Sequence, residues 1–300
     1  MVVSLDLRII SSQQLGLFLA TAAISTAAPL FRQLIDIDPL LAASLRLIVA
    51  AVILLLIGGY KINKLTSAQF RGAAICGLFY ALHFGAWVTS LHYTTIAASV
   101  TLVTTTPIML LCLSMIRGEA VVKTQIAPCL LGSLGVCLIA GADWNTSPAA
   151  LWGDLLALVG AVAMAGYFLA VKSLNQLPLR PFMFVTAIVG GSVLMLVYFQ
   201  HNANPTIDLT KAHIYWLLAL ALGPHLIGHG LLTWSLRKTS STAVALATVG
   251  EPAGSALLAY VLFSEVIDAF TAIGCALTLG AIFLGTQRKP QANPEKGGYP

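Results

Sequence analysis

Charge is scarce in this sequence. Only 16 Lys and Arg and 11 Asp and Glu occur among 300 residues, or 9%, whereas a soluble domain carries about 25%. Hydrophobic residues make up 58% and the mean hydropathy is +0.89. A globule in water lacks the polar surface to cover such a composition. A soluble enzyme, a disordered chain and a secreted disulfide scaffold are therefore excluded. Basic stripes and nucleic-acid motifs are also missing, so the net charge of +5 does not point to nucleic acid. The five cysteines (Cys76, Cys112, Cys129, Cys137, Cys275) lie inside apolar runs without metal-ligand spacing. They read as small buried hydrophobes. No Walker motif and no loop long enough to fold alone occur, so ATP drive within the chain is not expected.

What is present is a series of long apolar runs. A helix crossing the bilayer core needs about 20 apolar residues, and ten segments approach this. They lie near 14–34, 39–60, 71–91, 95–115, 125–141, 151–172, 180–199, 213–235, 241–263 and 269–286. The runs are continuous rather than alternating, which argues for helices and against strands. The first is read as a retained helix, not a cleaved signal peptide. Placing both termini in the cytoplasm puts Arg8, Lys61, Lys64, Arg71, Arg117, Lys123, Lys172, Arg180, Arg237, Lys238, Arg288, Lys289 and Lys296 inside. Only Arg32 and Lys211 then lie outside, a strong positive-inside bias. Trp144, Trp152 and Trp216 fall at the outer boundaries, where interfacial aromatics belong. The expected fold class is an all-α integral membrane protein of ten transmembrane helices, with N and C termini cytoplasmic. Residues 287–300 form a polar, Pro/Gly-rich tail expected to be disordered.

Ten spans divide into two sets of five, and an odd number makes the second set start from the opposite side. Related halves would therefore be inverted repeats. At an offset of 145, Ala98 meets Ala243, Pro107 meets Pro252, Ser90-Leu91 meets Ser235-Leu236 and Gly135 meets Gly280. At 146, Gly77 meets Gly223, His83 meets His229 and Glu119 meets Glu265. The expected units are residues 14–141 and 151–286.

Several stretches carry a family likeness. Pro39-Leu40-Leu41-Ala42-Ala43-Ser44-Leu45-Arg46 opens the second span, and Tyr93-Thr94-Thr95-Ile96-Ala97-Ala98-Ser99 leads into the fourth, which contains Pro107. Trp152-Gly153-Asp154-Leu155-Leu156-Ala157-Leu158 opens the sixth. Gly250-Glu251-Pro252 lies in the ninth, followed by Ser264-Glu265 and a Gly-rich tenth. In order and spacing these resemble the EamA-type members of the drug/metabolite transporter superfamily. The resemblance implies two inverted five-helix repeats around a central cavity, and movement of small organic solutes, often outward, across a plasma or inner membrane.

Polar residues inside the spans are the candidate site. Arg46 sits about 10 Å into the second span at about 1.5 Å per residue. An arginine there is costly, so it either grips a substrate carboxylate or phosphate or serves a structural pair or a snorkel. Glu251 is the one acid near mid-membrane, a carrier for a coupling proton, an ammonium contact or a partner for Arg46. His83, His225 and His229 are intramembrane and able to move protons. His225-x-x-x-His229 also has the spacing of a two-ligand metal face. Tyr80, Phe84 and Trp87 form a stripe on the third span that either lines a pocket or packs plainly. Tyr167 and Trp234 add to the aromatic set. Thr105 and Thr106 precede Pro107, and prolines also interrupt spans one, eight and nine. A Pro frees a carbonyl, and in a membrane such breaks line cavities; Thr hydroxyls there meet either that carbonyl or substrate.

The leading expectation is a secondary transporter, not an enzyme, exporting small metabolites such as amino acids by alternating access. Its partners are the bilayer, a small-molecule substrate and protons, with no nucleic acid and no cofactor. The alternatives are an antiporter of phosphorylated or nucleotide-linked metabolites, an intramembrane His-metal enzyme, and a passive channel. Monomer and homodimer both remain open.

Overall fold

The computed structural model describes residues 12–59, 65–94, 96–118, 123–140, 147–263, 267 and 269–286. Arg8, Lys61, Lys64, Thr95, Glu119, Trp144, Ser264, Glu265, Arg288, Lys289, Lys296 and the 287–300 tail lie outside these residues. All regular structure among the described residues is helical. In order the helices are α1 (Ser12–Ile24), α2 (Ala27–Arg32), α3 (Pro39–Leu54), α4 (Ser67–Ser90), α5 (Ile96–Val103), α6 (Thr106–Ile116) and α7 (Lys123–Ala140). Next come α8 (Pro148–Ser173), α9 (Leu179–His201), α10 (Lys211–Leu220), α11 (Gly230–Leu236), α12 (Ser241–Thr248), α13 (Glu251–Phe263) and α14 (Ala269–Thr286).

Seven stretches are long and apolar enough to cross a membrane: Ser12–Arg32, Pro39–Gly58, Ser67–Ser90, Ala98–Ile116, Pro148–Ser173, Leu179–His201 and Lys211–Leu236. Two shorter apolar helices, Thr124–Leu138 and Ala269–Leu284, add to them. Residues 241–263 hold the remaining pair, α12 and α13, divided at Val249-Gly250.

Helix starts obey local chemistry. Asp38 caps α3, its carboxylate accepting from Leu40 N at 2.9 Å and Leu41 N at 3.2 Å, with Pro39 in the first turn. Thr66 and Gln69 form a reciprocal capping box on α4. Ser147 caps α8 and Ser240 caps α12 by accepting from the backbone three residues on. The outer surface is apolar, as lipid requires, with Leu56 78% and Ile116 81% exposed. Small residues instead mark where helices approach. A Cβ on Gly135 of α7 would stand 2.7 Å from the Gly274 carbonyl of α14, and one on Gly254 would strike Ser25. The cysteines are all free, but Cys112 and Cys137 are exposed on this outer surface, not buried. A thiol is apolar enough to face lipid, so a hydrophobic context alone did not decide burial.

The helix contacts form pairs under exchange of the two halves. Helix α4 packs on α8, and α10–α11, its counterpart by order, packs through its central turn on α1. Helix α4 also meets α9, while the α10–α11 stretch meets α3. The α5–α6 stretch touches α8, as the α12–α13 stretch touches α1. Three contacts map onto themselves: α3 with α9, α7 with α14, and α6 with α12.

Candidate functional site

Two helix breaks face each other across the interior. One lies at Thr104-Thr105, between α5 and α6; the other at Val249-Gly250, between α12 and α13, 145 positions later. Pro107 and Pro252 fall in the first turn after each break, where a missing N–H is tolerated. The freed carbonyls find local partners. Thr104 Oγ1 donates to Val100 O at 2.7 Å, Thr105 Oγ1 to Leu102 O at 2.6 Å and Thr106 Oγ1 to Val103 O at 2.9 Å. Thr248 Oγ1 donates to Ala245 O at 2.7 Å. Across the interior, Thr21 Oγ1 donates to Ala247 O at 2.9 Å and Ser255 Oγ to Ser25 O at 2.8 Å. The threonine hydroxyls thus stabilise the breaks, and their donor capacity is used by backbone.

Between the breaks lies a small cavity of about 30 Å³, room for a water molecule or two. Helix α4 contributes His83 and Trp87, and α8 contributes Met164 and Phe168. The α10–α11 stretch supplies His229 and Leu232. The first break adds Val103, Thr104 and Thr106, the second Thr248 and Glu251, and the first span Ile24 and Ala27. His83 Nδ1 donates to Gly160 O at 2.9 Å, which fixes the ring and its tautomer. His229 Nδ1 and Trp87 Nε1 are buried without a hydrogen-bond partner among the described residues. The cavity therefore offers unmet polar valences on an otherwise apolar wall, with one carboxylate, Glu251, at its edge.

Of the residues singled out from sequence, His83, Trp87, Thr106, His229 and Glu251 meet at this cavity. Four others stand back from its wall. Tyr80 stacks on Tyr167 with ring centroids 4.2 Å apart, and Tyr167 Oη shares a 2.8 Å hydrogen bond with Thr233. His225 packs edge-on against Tyr80 at 5.6 Å and near Phe84 at 6.0 Å. Thr105 points to its own helix. Arg46 is fully buried over the Phe84 ring, 4.3 Å from its centroid, with Phe31 at 5.5 Å. Thr104, beside the first break, also lines the wall, and so do Thr248 and Phe168, which were not expected. A hydroxyl within a turn of a break-forming proline was the signal for Thr248; nothing in the sequence marked Phe168.

The His225-x-x-x-His229 spacing was also weighed as a two-ligand metal face. His225 and His229 lie 5.9 Å apart with rings tilted by 42°. Residues Ala221–His229 wind as a wide, π-type turn, in which positions four apart no longer stack as in an α-helix. Among the described residues no group of three His, Cys, Asp or Glu is placed to hold a metal ion.

The chain matches the EamA-like transporter family over residues 12–141 and again over 151–286. It belongs to the EamA-like transporter family. The EamA family is part of the drug/metabolite transporter superfamily, as the sequence resemblance implied. A relative from Archaeoglobus fulgidus described as an uncharacterized transporter is 25% identical over 218 residues, covering 71% of this chain and 73% of its own. A crystal structure shares the fold at a TM-score of 0.75 with 20% identity, over 93% of this chain and 98% of that one. This EamA protein is thus a multi-pass membrane transporter and not an enzyme.

Proposed function

We propose that this EamA protein is a secondary active transporter with ten spans, arranged as two inverted five-helix repeats with both termini cytoplasmic. It exports small organic metabolites such as amino acids by alternating access. The observation that carries this reading is the cavity framed by two helix breaks 145 positions apart. Broken helices at a repeat interface place free polar groups where a solute binds. The paired helix contacts support the inverted repeat, and the loop charges support the topology.

Glu251, His83 and His229 are the coupling and contact groups in this reading, and Trp87 is the wall against which an apolar part of the solute rests. Thr106 holds the break. Tyr80, Thr105 and His225 act one layer behind, keeping the wall in place.

The test is a metabolite profile of medium and cytosol from cells expressing wild type or Glu251→Gln. The wild type enriches at least one small metabolite outside, and an imposed proton gradient sets its rate. Glu251→Gln reaches the membrane in equal amount and loses the dependence on the gradient. A variant that keeps it removes Glu251 from coupling; a wild type that enriches nothing removes export.

A further inference from the structure

Arg46 carries a buried charge that Glu251 attracts but no described group meets with a hydrogen bond. Its side chain is fully buried, and Nε, Nη1 and Nη2 all lack a hydrogen-bond partner among the described residues. Every other Lys or Arg of the apolar spans lies within a few residues of a span end. Burying an unpaired guanidinium is among the most costly things a membrane protein can do. Cation–π contact with Phe84 and Phe31 offsets part of that cost. Rings covering the guanidinium face leave its buried N–H edges without a partner among the described residues, and those edges are the ones that meet a planar oxyanion two-on-two.

The position connects with the cavity. Phe31 meets Trp87 edge-on at 5.7 Å, and Phe84 meets His83 at 4.6 Å and His229 at 5.1 Å. Trp87, His83 and His229 all line the cavity. The two phenylalanines are therefore a thin aromatic partition between the cavity and the guanidinium. On the cavity side stands the single acid, Glu251.

We infer that Arg46 is the anion subsite of the transport cavity and takes a carboxylate of the solute in a bidentate grip when the Phe31–Phe84 partition parts. The inference rests on the transporter reading and names the substrate class as organic acids, those with an ammonium group included. A single fixed positive charge in a fork matches one carboxylate. A phosphoryl dianion calls for more cations than this site holds. The ring of an aromatic acid would lie against Trp87 and Phe168.

The test uses purified full-length protein in detergent and monitors thermal unfolding with 3-phenylpropionate, its uncharged amide 3-phenylpropanamide, and phenyl phosphate. 3-Phenylpropionate raises the midpoint of the wild type by several degrees in a saturable way, and the amide does not. In Arg46→Lys, which keeps the charge but loses the fork, half-saturation moves up about tenfold or more. In Arg46→Gln the response disappears. Equal action of acid and amide, no response of the wild type, or a response unchanged in Arg46→Lys and Arg46→Gln overturns the subsite. Tighter action of phenyl phosphate overturns the carboxylate assignment. Cellular efflux separates the two readings: Arg46→Gln exporting at the wild-type rate overturns the subsite and leaves the transporter, while absent wild-type export together with intact probe binding overturns export and leaves the subsite.

Discussion

Helix α4 and the α10–α11 stretch hold the same place in the two halves, yet they are built differently. Helix α4 runs unbroken from Ser67 to Ser90. Its counterpart is opened by Pro224 into the wide turn Ala221–His229. Both bring a histidine to the cavity, His83 and His229, at matching positions. The straight helix presents an imidazole already bonded to Gly160 O. The opened one presents an imidazole whose Nδ1 has no partner among the described residues, and it adds His225 behind. Proline lacks the N–H an α-turn needs, and the turn widens to accommodate its ring. A nearly symmetric frame thus carries one fixed and one unsatisfied polar group side by side, with ring centroids 6.4 Å apart, which suits a site that must hold a solute and also let it go.

Making the two stretches alike is the strongest way to break that comparison. Pro224→Ala restores the N–H and lets residues 221–229 wind as an α-helix. Each residue drawn into the tighter turn rotates the downstream part of the helix by about 100°, which carries Thr233 away from Tyr167. We expect solute efflux to fall by more than tenfold, with membrane insertion unchanged. Efflux at the wild-type rate would show that the wide turn is incidental.

The glycine pair Gly135 and Gly280 sharpens the same point at a smaller scale. The two match in sequence at an offset of 145, but their surroundings differ. A Cβ on Gly135 meets backbone at 2.7 Å, whereas one on Gly280 meets nothing within 4 Å. Gly135→Ala should lose about 1–3 kcal/mol. Gly280→Ala should be neutral or gain up to about 1 kcal/mol from helix propensity. Thermal or denaturant unfolding in one detergent compares them, and equal losses would mean the α7–α14 packing is not as described.

The histidine pair gives the smallest effect. His83→Ala removes a buried hydrogen bond and should cost about 1 kcal/mol of stability. His229→Ala removes no hydrogen bond to the described protein and should cost less, while impairing efflux more. Stability and efflux measured on both variants check this; the reverse ranking would assign the free imidazole to structure and the bonded one to the solute.

Much of this was legible in the sequence, because lipid punishes an unsatisfied backbone and tolerates little charge. Those two costs leave long apolar helices, rare interior polar groups and sided loop charges as plain text. The prolines also told where helices would break, and both breaks lie beside the cavity. The sequence was less informative where several helices converge. A pairing of Arg46 with Glu251 was one of several readings the sequence left open. The structure lays Arg46 on Phe84 and sets Glu251 at the cavity, where the two attract one another without a hydrogen bond to the guanidinium among the described residues. Thr105 and Thr106 look equivalent in the chain, yet only Thr106 reaches the cavity wall, since neighbouring residues on a helix point about 100° apart.

Composition, period and spacing were enough to make the chain helical and lipid-embedded. Which matched residues share a duty depended on the packing of helices against one another. A side chain's partner is whatever the facing helix presents within about 4 Å, and that helix comes from the other half of the chain.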